Sequence, residues 1–330
     1  MKHRYAFLLA FVLCAYWPAQ CQQDAPLVLS QTILVPSLQG GFNHMSVDDE
    51  RRLLFAAAPT NTTLEIADLR SGKPWRSLEG EKPAAVRYAP EFHQLYVARA
   101  QKVYIYDGKT FSLILSVDLG TGIDELQYDA RAKQLYAGCM TAGKTGIAVI
   151  SIPDGRLLKM IPLPVKPQGF VVEQRGRRIF ANMPGVQQIA VIDREAGTLL
   201  TSWPLEGDPG NSPIGLDEIH HRLFVGNRHP AQLAVLDTST GKTVTAIDMN
   251  NDADDLFYDA ARRRIYVSCG EGFVDVIQQA DDDRYTMLAR IPTVAGARTS
   301  TFSAKLKTLY LGVPRHGDQP AELRVYRATE

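Results

Sequence analysis

An aliphatic residue followed by an aromatic one recurs seven times along this chain, as Leu54-Phe55, Leu95-Tyr96, Leu135-Tyr136, Ile179-Phe180, Leu223-Phe224, Ile265-Tyr266 and Leu309-Tyr310. Successive aromatics lie 41, 40, 44, 44, 42 and 44 residues apart. A fixed period of that length restricts the chain to architectures that repeat one supersecondary unit, and it matches a unit of four strands. Eight residues before each aromatic stands a large apolar residue, Val47, Tyr88, Tyr128, Val172, Leu216, Tyr258 or Phe302. In four repeats an acid follows it, Asp48, Asp129, Asp217 or Asp259. Asp suits a turn after an inner strand, because its side chain can bond the backbone two residues on.

A second alternating run follows the aromatic strand in every repeat, most clearly at Ile189-Ala190-Val191-Ile192-Asp193 and Leu233-Ala234-Val235-Leu236-Asp237. After a Gly-containing turn such as Ser239-Thr240-Gly241-Lys242 comes a fourth strand, here 244–249. Period-two alternation bounded by Gly, Asp, Asn and Pro is the pattern of strands, and no long helical pattern interrupts it. The seventh repeat stops at Ala328-Thr329-Glu330 and supplies only three strands, while one unmatched strand, 27–35, precedes the first repeat. Pairing that segment with the seventh unit closes a ring in which the units protect one another's edges. The spacing therefore predicts an all-β fold: a seven-bladed β-propeller of four-stranded antiparallel blades, closed by the N-terminal strand in the last blade.

The charge balance narrows the partners. Lys+Arg and Asp+Glu both total 36, so no long-range positive field draws the chain to nucleic acid or to an anionic membrane. The first residues read as a secretory signal peptide over 1–21: Lys2, His3 and Arg4, then the apolar run 5–17, then Pro18, Ala19, Gln20 and Cys21. That run is shorter than the roughly 20 apolar residues of a spanning helix. Alternatives to cleavage are an uncleaved anchor and acylation of Cys21, the latter with Gln20 where a small residue is expected. The mature domain is then 22–330, a monomer in the periplasm or secreted, without a transmembrane segment after cleavage. Its two cysteines, Cys139 and Cys269, are too few for a disulfide framework. They occupy equivalent places in the third and sixth blades, which the channel separates, so buried thiols are expected.

With these repeats in view, the chain resembles the YVTN-repeat β-propeller family, and more closely its exported YncE-like group. Phe224-Val225-Gly226-Asn227 keeps the family's Tyr-Val-x-Asn strand best; Phe55-Ala56-Ala57-Ala58, Tyr96-Val97-Ala98-Arg99 and Tyr266-Val267-Ser268-Cys269 depart from it. The resemblance runs from about residue 27 to the end and implies a bacterial envelope or secreted protein. It implies no reaction, because one fold hosts many functions.

Gly138, Gly143, Lys144 and Thr145 match a phosphate-cradling loop, but such a loop needs a following helix, and here a strand is expected at 147–150. The loops that lead into the inner strands converge on one channel mouth, the kind of concave place ligands favour. Counting back twelve and eleven residues from each aromatic gives Asn43-His44, Ala84-Ala85, Asp124-Glu125, Gln168-Gly169, Ser212-Pro213, Asp254-Asp255 and Arg298-Thr299, with Arg87 just inside the second blade. The mouth residues singled out as ligand-binding are His44, Arg87, Asp124, Glu125, Asp254, Asp255 and Arg298. The two acidic pairs either hold a hard cation or a cationic ligand, with Asn43 or Asn211 assisting, or are solvated loop residues that neutralise Arg298 and Arg87.

The expected function is a non-catalytic binding or scaffold propeller outside the cytoplasm, for a protein or small-molecule partner, with no cofactor indicated. The alternative is a metal-dependent, calcium-type hydrolase or lactonase at the same mouth, using Glu125, Asp255, Asn43 and Asn211. No G-x-S-x-G is present, and His220-His221 fall in a turn on the opposite face. Asn61-Thr62-Thr63 is a glycosylation sequon, discounted if the chain is bacterial.

Overall fold

A computed structural model describes residues 25–205, 210 and 213–330. The expected leader with Cys14 and Cys21, and also Asn211 and Ser212, lies outside the described residues. The described strands form seven four-stranded antiparallel sheets, the blades. Their inner strands are, in order, Met45–Asp48, Pro83–Ala89, Ile123–Asp129, Phe170–Val172, Ile214–Asp217, Ala253–Asp259 and Thr299–Ser303. Each touches the next, and the last touches the first, so the ring is closed around a channel.

Closure runs as the chain ends require. Blade 7 takes Thr299–Ser303, Thr308–Val313 and Ala321–Ala328 from the C-terminal end and Leu27–Val35 from the N-terminal end as its outermost strand. The two ends pair antiparallel, Leu27 opposite Ala328 and Val35 opposite Ala321. Leu27, Ile33 and Val35 are buried by this pairing. Two bonds fasten it beyond the ladder, Thr329 N to the Pro26 carbonyl at 3.1 Å and Thr329 Oγ1 to the Ala25 carbonyl at 2.9 Å.

The periodicity has a packing cause. Among the described residues the apolar core divides into seven clusters, each built from two neighbouring blades. The seven repeat aromatics are all buried. Several stack on the residue eight before the next blade's aromatic: Phe55 on Tyr88 at 5.6 Å between ring centres, Phe224 on Tyr258 at 5.3 Å and Tyr266 on Phe302 at 5.1 Å. The two recurring positions are thus the halves of one inter-blade contact, each ring contributing roughly 1.5–3 kcal/mol by burial.

At the ends of the inner strands of blades 1, 3, 5 and 6 away from the mouth, the expected Asp turns form. Asp48 Oδ1 accepts the Glu50 and Arg51 N–H groups at 3.0 Å each, and Asp129, Asp217 and Asp259 accept from Ala132, His220 and Ala261. Ser303 takes the role in blade 7, accepting the Leu306 N–H at 3.0 Å. His220 also bonds Asp217 through Nδ1 at 2.7 Å, which makes it a turn residue.

The phosphate-loop match is a hairpin: Gln134–Cys139 pairs with Gly146–Ser151, Cys139 opposite Gly146, and a strand follows the glycines in place of a helix. Cys139 and Cys269 are buried free thiols, and burial pushes the Cys139 thiol up to about 11. Asn61 of the sequon accepts the Gln39 N–H and donates to the Ser37 carbonyl, both at 2.9 Å, so it ties down the chain leading into blade 1. Among the described residues no helix is long and apolar enough to cross a membrane.

Candidate functional site

The seven mouth residues come from five blades and line a single cavity of about 240 Å³ at one end of the channel. A second chamber of about 270 Å³ lies beyond it, and the two share Arg87, Gln127, Ile214, Leu256 and Phe257 as a waist. Among the described residues, blades 4 and 5 contribute only uncharged residues to the mouth cavity, Gln168, Gly169, Pro213 and Ile214, while charge crowds the remaining wall. Gly215 lines the second chamber, where a Cβ would sit 2.4 Å from Leu256 Cδ2 and make that side chain shift.

Local backbone irregularity places the acids. The inner strands of blades 2, 3 and 6 each carry a β-bulge, between Pro83 and Ala85, between Ile123 and Leu126 and between Ala253 and Asp255, and in blades 3 and 6 it falls at the acidic pair. A bulge sets an extra residue against the partner strand and re-aims its neighbours. Each acidic pair is thereby split into two different jobs.

Glu125 and Asp255, eleven residues before their aromatics, turn to the following blade. Glu125 Oε2 accepts the Phe170 N–H of blade 4 at 3.2 Å and Oε1 accepts from Gln127, while Asp255 Oδ2 accepts the Ser300 N–H of blade 7 at 2.7 Å. These are charge-assisted clasps between blades.

The preceding acids behave otherwise. Asp254 faces Arg298 Nε at 3.5 Å and Arg228 Nη2 at 3.8 Å. Asp252 completes that rim network, 2.8 Å from Arg298 and 2.6 Å from Arg228. The Asp124 side chain makes no hydrogen bond or ion pair among the described residues.

Two cations occupy the channel itself. Arg87 donates Nη1 to the carbonyls of Met45 and Val86, at 3.2 and 3.1 Å. Burial pushes its guanidinium down, with Glu125 and Asp255 acting against that. His44 stands with Nδ1 3.7 Å from Asp255 Oδ1. Burial alone would push the imidazolium down, but Asp255 and then Glu125 outweigh it and raise His44 to about 9, so it is cationic at neutral pH. Burial pushes Glu125 upward against His44 and Arg87, and burial with the neighbouring Asp255 pushes Asp254 upward.

The structure thus answers both sequence readings of the acids in part. Arg298 is neutralised as one reading held, by Asp254 and also by Asp252, which counting had missed. Glu125 and Asp255 are not solvated loop residues, because each holds a backbone N–H of the next blade through one of its oxygens. Among the described residues no group of three or more His, Cys, Asp or Glu converges as a metal site. Asn211, invoked for a calcium set, lies outside the described residues.

Gln127 and Phe257 were also missed, although each stands nine residues before its aromatic, as Arg87 does. Strand alternation makes that position the next channel-facing one after the eleventh, and counting it would have found both. Arg228, at the end of Arg222–Arg228, has no signal of that kind.

No protein-family model matches this chain, and no curated protein matches it. Among solved structures the chain is similar to one in the "Crystal Structure of Mitotic Checkpoint Complex", with a TM-score of 0.76 and 13% identity over 100% of both chains. The likeness is one of fold. Together with the seven closed blades it makes this chain a seven-bladed β-propeller.

Proposed function

We propose that this chain is an exported binding propeller of the YVTN-repeat, YncE-like kind, and that its ligand enters the mouth cavity lined by His44, Arg87, Asp124, Glu125, Asp254, Asp255 and Arg298. The observation that carries the reading is the crowding of charge into about 240 Å³ while part of its hydrogen-bonding capacity is unused: Arg87 donates through Nη1 alone, and the Asp124 carboxylate accepts no hydrogen bond among the described residues. Buried charges are costly unless paired, and a cavity that keeps them without full pairing suits a polar ligand. Export rests on the leader over 1–21, and N-terminal sequencing of protein from the periplasmic fraction tests it.

The binding reading is tested by native mass spectrometry on protein purified gently from its own envelope fraction. A bound species is expected on the wild type and missing from the combined Asp124→Asn, Glu125→Gln, Asp254→Asn and Asp255→Asn variant, once circular dichroism shows that variant folded. Identical spectra for the two proteins would remove the mouth from the argument.

A further inference from the structure

We infer that the mouth cavity takes a small zwitterion of the α-amino-acid type, its carboxylate toward Arg87 and His44 and its ammonium toward the acids of blades 3 and 6. This rests on the binding reading above and names the class of ligand.

Size comes first. A space of about 240 Å³ whose floor is the waist of Arg87, Gln127 and Phe257 holds a small molecule, not a length of folded chain. Charge comes next. Arg87 uses one nitrogen on carbonyl groups, and its Nε and Nη2 have no hydrogen-bond partner among the described residues. His44 contacts Asp255 only at 3.7 Å, beyond hydrogen-bond distance, and its Nε2 has no partner either. These are donors without acceptors, on adjacent blades. A planar guanidinium with two free N–H edges beside an imidazolium matches the two oxygens of a carboxylate.

Acceptors without donors line the same cavity. The Asp124 side chain is unbonded among the described residues, and Asp255 Oδ1 has only the long approach of His44. A plain anion would satisfy Arg87 and His44 but press against Asp124, Glu125, Asp254 and Asp255. A plain cation would satisfy the carboxylates but face Arg87, His44 and Arg298. Each mismatch leaves a desolvated charge without a partner, which discriminates strongly between otherwise similar ligands. A molecule with both charges a few bonds apart satisfies both sets. The uncharged arc of Gly169, Pro213 and Ile214 is then where its side chain lies, which favours one without charge.

The test uses the purified full chain and the twenty common amino acids as probes, by thermal shift and then calorimetry. For the tightest binder, the N-acetyl derivative removes the cation and the carboxamide removes the anion. At least one amino acid is expected to raise the melting temperature, and both derivatives to bind about tenfold more weakly or worse. Asp124→Asn, which breaks no contact of the fold, is expected to weaken the amino acid severalfold and leave the N-acetyl derivative unchanged. Arg87→Lys, which keeps the charge but loses the fork, is expected to weaken both the amino acid and the N-acetyl derivative.

A carboxamide that binds as well as the parent makes this a cation site and overturns the proposal; an N-acetyl derivative that binds as well makes it an anion site and does the same. A parallel arm with a small-molecule extract of the envelope separates the two levels. If the extract stabilises the protein and no amino acid does, the ligand class is wrong and the binding reading stands; if neither does, both fall.

Discussion

At the ends of the inner strands away from the mouth, Asp48, Asp129, Asp217 and Asp259 bond the N–H groups of their own turns, whereas at the mouth ends Asp124, Glu125, Asp254 and Asp255 reach the next blade, the rim arginines or nothing. The residue type and the strand are the same; the local backbone differs. A regular turn offers an Asp its own N–H groups two and three residues on. A bulged strand start offers none, so the carboxylate is turned outward toward other blades and the channel. Carboxylates at one end are therefore structural, and those at the other are divided between structure and capacity for a ligand.

The sharpest way to break this contrast is at Asp129. It is fully buried and paired with Arg194 of blade 4, whose side chain is itself only 10% exposed. Asp129→Ala removes a turn bond and leaves a buried guanidinium unpaired, which costs about 3–5 kcal/mol. Urea denaturation should show that loss as a lower midpoint; a change under about 1 kcal/mol would mean that Arg194 finds another partner, and the far end would not be structural in the sense argued.

The next effect separates the two ends by pH. His44 is raised from 6.5 to about 9 in the folded chain, so its contribution is fully present below about pH 6.5 and disappears as pH rises through about 9. Up to about 3 kcal/mol is at stake, counting 1.36 kcal/mol for each pH unit by which the group is raised. Glu125 and Asp254, pushed upward, act in the same sense, since protonating them eases a buried charge. At the other end Asp217 is held below the ordinary range, because bonds from His220, Tyr258 and Gln279 outweigh its burial. Its contribution is present above the usual Asp value near 4 and lost as pH falls through its folded one. The difference in stability between wild type and His44→Asn should shrink from pH 6.5 to 9.5, while that between wild type and Asp217→Asn should shrink only on acidification below about pH 4. A His44 difference that stays constant across that alkaline range would contradict the proximity of the imidazolium to Asp255.

Smaller still are the clasps. Glu125→Gln and Asp255→Asn each weaken a charge-assisted bond to the next blade while keeping the side chain's shape, for about 1–2 kcal/mol apiece. Their backbone partners lie in different blades, but both carboxylates act on His44 and Arg87, so the double variant should depart from the simple sum by the coupling through those two cations. Denaturation of the two single variants and the double checks this. A double variant no worse than either single one would mean that the clasps fail together, as parts of one opening event.

How much of this was legible beforehand follows from which residues repeat. The blade count was readable because Phe55, Phe224 and Tyr266 pack on Tyr88, Tyr258 and Phe302 of the next blade, so the period is the packing contact itself. Closure was readable because the unmatched 27–35 segment and the three-strand seventh repeat complete one sheet. The mouth was readable in outline, since position relative to the aromatic fixes height along the channel. The separate roles of Asp124 and Glu125 were not: both stand in an unbroken strand pattern, and only the bulge assigns one to the Phe170 N–H and leaves the other free. Asp252 and Arg228 escaped because they lie outside the counted positions and meet only through the fold.

Asp124 supplies the last and smallest effect, and its smallness carries the meaning. Its side chain bonds nothing among the described residues, so Asp124→Asn should change stability by less than about 0.5 kcal/mol, against about 1–2 kcal/mol for the adjacent Glu125→Gln. Two neighbouring acids in one bulge would then differ several-fold in their structural importance. Denaturation midpoints measured side by side decide it. A loss at Asp124 equal to that at Glu125 would mean that both acids hold the ring together, and the mouth would be no freer to accept a ligand than the turns at the other end of the same strands.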